Sequence, residues 1–166
     1  MKLKWMQCLI VAALATLLAI PAMAADKGSV VVDLTGKKVI RTEAGKEKLE
    51  SADTAKPGDT IEYRAVYRNK GSRKVSDLLA TIPVPEGMEY LPASAKPARV
   101  SASLDGKEFG PVPLKREVTL PSGKKEMHDV PYAEYRYIRW DIKTLAPGQS
   151  IPVSMRVKIS TEPVKK

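Results

Sequence analysis

The stretch KPGDTIEYRAVYRNKG, residues 56–71, decides the fold. Ile61, Tyr63, Ala65 and Tyr67 fall on one face of an extended chain, while Glu62, Arg64, Val66 and Arg68 fall on the other. An apolar face alternating with a largely polar one at period two predicts a half-buried β-strand. Pro57-Gly58-Asp59 leads into it, because proline presets one backbone dihedral and glycine frees the next. Asn69-Lys70-Gly71-Ser72 leads out with equally strong turn chemistry.

The same pattern continues on both sides. A first strand is expected over 30–39, and 75–82 is expected to pair with the opening strand across the Asn69 turn, with Leu78, Ala80 and Ile82 facing inward. Short strands at 88–91, 100–104 and 118–120 follow, separated by prolines or by the Asp105-Gly106 turn, and strands at 135–142 and 150–160 close the series. In the last, Ile151, Val153, Met155, Val157 and Ile159 alternate without a break, and Pro152 near its start suits a strand edge. The 13 prolines of the chain are spread too widely for long helices, so 43–52 is given one helical turn at most. About seven short strands predict an all-β antiparallel immunoglobulin-like β-sandwich, a small barrel being the alternative. Trp140, in line with Ile138 and Ile142, is read as an anchor of the core between the sheets.

The chain begins MKLKWMQCLIVAALATLLAIPAMA, two lysines followed by an apolar run that ends at Pro21 and the small-x-small triplet Ala22-Met23-Ala24. That is the pattern of a secretory signal peptide over 1–24, cleaved after Ala24, and the run falls short of the roughly 20 residues that span a bilayer. Cys8, the one cysteine, lies near the start of the run, which excludes the lipid-modified position behind it and leaves the exported chain without disulfide or thiol chemistry. The exported part is read as one domain: a first strand and connector over 25–55, a core over 56–160, and a tail over 161–166. The chain carries 28 Lys plus Arg against 19 Asp plus Glu; removing the two leader lysines leaves 26 against 19, a balance of +7. An exported basic protein points to anionic envelope polymers rather than nucleic acid, although lysine-rich strand edges that resist aggregation are the simpler account of the charge.

The series PGDTIEYRAVYRNKGSRKVSDLLATIPVPEGMEYLPASA, with RWDIKTLAPGQSIPVSMRVKI further on, resembles the bacterial conserved-repeat immunoglobulin-like family catalogued as domain of unknown function 11. The positions that carry the likeness are Pro57-Gly58-Asp59, Tyr63, Asn69 with Gly71, Pro85-Glu86-Gly87, Trp140, Leu145, Pro147 and Gly148. It covers most of the exported chain and departs from the family at Ala80-Thr81-Ile82-Pro83, where the family has aspartate-x-leucine-proline, and over 101–131, an insertion or elaborated hairpin. The resemblance implies an exported module with no assigned activity.

Catalytic signatures are sparse. His128, the one histidine, sits in a polar connector, with no G-x-S-x-G elbow to supply a nucleophile. One histidine and no exported cysteine cannot make the usual zinc sets, the acids lack a calcium-loop spacing, and no glycine-rich phosphate loop joins a strand to a helix. No catalytic residue, metal or cofactor is therefore assigned. By strand parity Tyr135, Tyr137 and Arg139 point outward, as do Arg156 and Lys158 on the closing strand. An immunoglobulin-like order makes these strands neighbours, so the five residues are expected to form one basic aromatic face, with Arg64 and Arg68 on the other sheet. The function read from this is a non-catalytic module of cell-envelope structure or protein interaction, in the periplasm or else secreted or at the cell surface. Its partner would be an envelope protein or an anionic envelope polymer; a carbohydrate-binding or anionic-polymer-binding module is the alternative and a hydrolase the last choice.

Overall fold

The computed structural model describes residues 29–161. The expected leader over 1–24 lies outside the described residues, as does all but the first residue of the expected tail. The described chain is an all-β, antiparallel two-sheet sandwich, as the alternation predicts. One sheet has the order β2-β1-β3-β11-β5, built from β1 (Val30–Arg41), β2 (Glu47–Ser51), β3 (Thr60–Asn69), β5 (Met88–Tyr90) and β11 (Ser150–Ile159). The facing sheet has the order β4-β10-β6-β7, from β4 (Val75–Pro83), β6 (Ser101–Ser103), β7 (Gly110–Pro111) and β10 (Tyr137–Leu145). A separate hairpin pairs β8 (Lys115–Thr119) with β9 (Lys125–Asp129).

The core follows the pattern of the sequence. Ile61, Ala65 and Tyr67 of β3 lie beside Val157, Val153 and Ile151 of β11 in register, and all but Ile151 are buried. Across the sandwich, Ala80 and Ile82 of β4 sit opposite Trp140 and Ile138 of β10, again all buried. Trp140 is 2% exposed and its Nε1–H donates to the Pro97 carbonyl at 2.8 Å, so the indole fills the core and satisfies its polar edge.

Four sequence expectations change. Strands β3 and β4 are not partners: β3 lies between β1 and β11, and the chain crosses to the other sheet at Asn69. This is a corner rather than a hairpin because the Asn69 side chain, fully buried, ties together two of the places where the chain changes sheets, between β3 and β4 and between β10 and β11. Its Nδ2 donates to the carbonyls of Arg73 (2.7 Å) and Leu145 (3.0 Å), and its Oδ1 accepts from the Gly71 N–H (2.9 Å). Within 43–52 the chain forms β2 rather than helix, its pairing with β1 outweighing local propensity, and a short 3-10 turn follows over Ala52–Thr54. The connector holding His128 is strand β9, whose ladder with β8 supplies the backbone bonds that its polar side chains could not. Finally, β10 and β11 belong to different sheets, which decides the fate of the expected binding face.

Candidate functional site

The five residues expected to share a face are dispersed. Tyr135 is fully buried, because β10 begins at Tyr137 and Tyr135 instead caps the 3-10 turn Tyr132–Glu134, so strand parity does not reach it. Its ring stacks on Tyr90 (centroids 6.0 Å apart, 7° between planes) and meets Tyr132 edge-on, while its hydroxyl accepts from the Leu114 N–H at 2.6 Å. Burial pushes its phenol above the ordinary range. Tyr137 and Arg139 do face outward, but on the β4-β10-β6-β7 sheet.

Arg156 and Lys158 occupy the outer face of the opposite sheet, and Arg64 and Arg68, expected elsewhere, share that sheet with them. Arg156 is engaged already. Its Nε donates to Glu62 at 2.9 Å, and its two terminal nitrogens hold Glu47 as a fork at 3.1 and 2.7 Å. The Arg156 hydrogen bond is the main cause of the lowered Glu47 carboxyl, and Glu47 in turn raises the guanidinium. Glu47 opens β2, which is separated from β11 by two strands in the sheet order, so this contact folds the β1–β2 hairpin back across the outer face. The expected single face therefore does not form.

A different site is built around β10. Strand β6 pairs with β10 at Tyr137, Ile138 and Arg139, yet β10 runs on to Leu145. The backbone direction along that extension can be worked out from one hydroxyl: Tyr67 Oη both accepts from the Thr81 N–H (2.9 Å) and donates to the Thr81 carbonyl (3.1 Å). Thr81 stands opposite Arg139, so at this pair the β4 backbone groups point away from β10, and by antiparallel alternation Arg139 and Asp141 aim theirs toward the β6 side; the alternation breaks past Ile142, where the β4 ladder skips Lys143 and Asp77 takes a φ of +53°. Beyond Arg139 that side carries no partner strand among the described residues.

The open edge borders a cavity of about 540 Å³. Pro97, Val100, Ile151 and Val153 give it an apolar lining, and Trp140 and Ile142 reach it from β10. Arg99, Phe109, Arg139, Asp141 and Lys143 also line it. The Arg139 guanidinium lies over Phe109, 3.1 Å from the ring centroid, which fixes its plane. Its Nε is buried without a hydrogen-bond partner, and among the described residues Arg99 has no carboxylate against it. Lys143 is paired with Asp141, which cancels the one acidic group of the lining.

Phe109 is held by a loop whose sequence explains its shape. Ser103, buried, donates through Oγ to Asp105 Oδ1 at 3.0 Å and accepts the Gly106 N–H at 2.9 Å; Asp105 Oδ1 accepts from the backbone N–H of Lys107 (2.8 Å) and Glu108 (3.2 Å). The Lys107 N–H leads the causes that lower the Asp105 carboxyl. Gly106 has φ of +81°, and a Cβ there would come within 2.9 Å of Tyr137 Cε2, so the loop lies directly on the Tyr137 ring. The sequence reading recognised the Asp105-Gly106 turn and Arg139 but missed Arg99, Phe109 and Lys143. A lone Phe109 followed by Gly110-Pro111 was the available signal.

Fold and site together define an antiparallel β-sandwich with a cation-rimmed cleft beside an open strand edge. Comparison with protein-family models, with curated proteins and with solved structures gave no match to this chain. Among the described residues no helix is long and apolar enough to cross a membrane, and no group of three or more His, Cys, Asp or Glu side chains is placed to hold a metal ion.

Proposed function

We propose that this chain is an exported, non-catalytic module of the cell envelope that works by contacting another protein. The cleft beside β10 carries this reading, because an apolar floor, a cationic rim and an unpaired strand edge meet there in one place. The signal-peptide pattern over 1–24, the lack of cysteine after Cys8 and the resemblance to domain of unknown function 11 support export, with the periplasm as the first address. Binding of an anionic envelope polymer is the second reading, favoured by Arg99 and Arg139 on one rim.

The test is cellular. In a bacterial host with an outer membrane, the tagged chain is released by osmotic shock at a mass reduced by the leader, and a photo-crosslinker at position 109 captures one defined envelope protein. A crosslinker at Leu49, exposed on β2 at the edge of the other sheet, captures none. Retention in the cytoplasm at full length, or equal capture from both positions, refutes the reading.

A further inference from the structure

We propose that the cleft binds an extended acidic peptide segment of a partner protein, added as an antiparallel strand to the open edge of β10 at Asp141. This rests on the protein-contact reading above and names its site and ligand class.

The first ground is the backbone. Asp141 aims its N–H and C=O groups to the side that β6 leaves empty, and Ile142 after it aims its own toward β4. The N–H and C=O of Asp141 together offer the pair of bonds that one residue of an incoming antiparallel strand completes, which a sugar or a polyphosphate could not match.

Side-chain alternation then sets what the peptide must carry. A strand laid beside β10 continues its pleat, so alternate peptide side chains point between the sheets, toward Pro97, Val100, Ile151 and Val153, and the others point outward, toward Arg139. The inner positions call for apolar side chains of modest size. The outer positions call for carboxylates, because the Arg139 plane is fixed against Phe109, its Nε is buried without an acceptor, and Arg99 adds a second cation without an acidic partner. Asp141 does not oppose this, since Lys143 already neutralises it. The ligand thus reads apolar–acidic–apolar–acidic in extended conformation.

The experiment uses the full chain as the cell produces it, isotope-labelled for NMR, and the peptide acetyl-Val-Glu-Val-Glu-Val-amide. Binding is expected to shift the Asp141 amide and to slow its hydrogen exchange at least about tenfold, because it passes from solvent to a ladder bond. The same peptide N-methylated on both glutamates loses affinity by about tenfold or more while the protein is untouched, which keeps the test clear of any folding defect. Replacing both glutamates by lysine has a similar effect, and so does Arg139→Ser together with Arg99→Ser. Equal binding of the methylated or the lysine peptide overturns the proposal, as does displacement of the acidic peptide by polygalacturonate at equal carboxylate concentration. Crosslinking from position 109 without protection of the Asp141 amide overturns the strand-addition site and leaves the protein-contact function standing. Failure of both overturns both.

Discussion

Asn69→Ala tests the corner that makes this chain a two-sheet sandwich. The substitution strands the Leu145 carbonyl in a buried position and removes the bonds to Arg73 and Gly71, which are partly buried. A buried carbonyl left unpaired costs about 2 kcal/mol and two partly exposed bonds add about 1 kcal/mol together, so the expected loss is about 3 kcal/mol. For a domain of this size that lowers Tm by about 10 °C, a large share of a normal stability of about 5–15 kcal/mol. Asn69→Asp is the sharper variant: it keeps an acceptor for Gly71 but turns a carboxylate oxygen toward the carbonyls of Arg73 and Leu145, and it should destabilise at least as much as alanine near neutral pH despite its nearly identical shape. Urea and thermal unfolding of the three proteins, with unchanged m-values as the check on two-state behaviour, measure the difference. An alanine variant within about 0.5 kcal/mol of the parent, or an aspartate variant as stable as asparagine, would show that the corner is held by backbone bonds and not by this side chain.

Trp140→Ala should cost about 3–5 kcal/mol in urea unfolding, the range for a large buried aromatic, and a loss under 1 kcal/mol would contradict its place in the core. Gly106→Ala places a methyl against Tyr137 at a left-handed φ and should cost about 1–3 kcal/mol, while displacing the Tyr137 ring resonances; unchanged resonances would count against the loop contact. Acid sensitivity has a definite sign. Glu47 and Asp59 have carboxyls lowered, respectively, by the Arg156 and Lys38 hydrogen bonds, so their stabilisation is present above the ordinary values of 4.5 and 3.8 and fades as pH falls through the lower folded values. Glu47→Gln should therefore flatten the acid side of the stability curve and speed hydrogen exchange across β2 above pH 5, and an unchanged profile would remove Glu47 from the account.

Much of the fold was legible in the sequence because strand formation is local. The alternation Ile61-Tyr63-Ala65-Tyr67 and the unbroken Val153-Met155-Val157 face predicted β3 and β11 with the right sides inward, and Trp140 could be placed in the core for the same reason. Pairing was not legible, since a ladder is a contact between distant segments that leaves no periodic mark: β2 pairs with β1 despite five exposed residues, and β3 passes over its sequence neighbour β4. The binding face failed on the same ground. Parity correctly turned Tyr137 and Arg139 outward, but a 3-10 turn took Tyr135 into the core, and sheet order set Arg156 on the far side against a glutamate 109 residues away. Alternation depends on covalent geometry within a strand and can be read from residue order; which edge stays open, and which cation keeps its charge unpaired, depends on free-energy differences among whole-chain arrangements. Arg139 and Arg156 are the same residue in similar strand contexts, and tertiary structure alone gave one an aromatic ring beside an open cleft and the other two carboxylates.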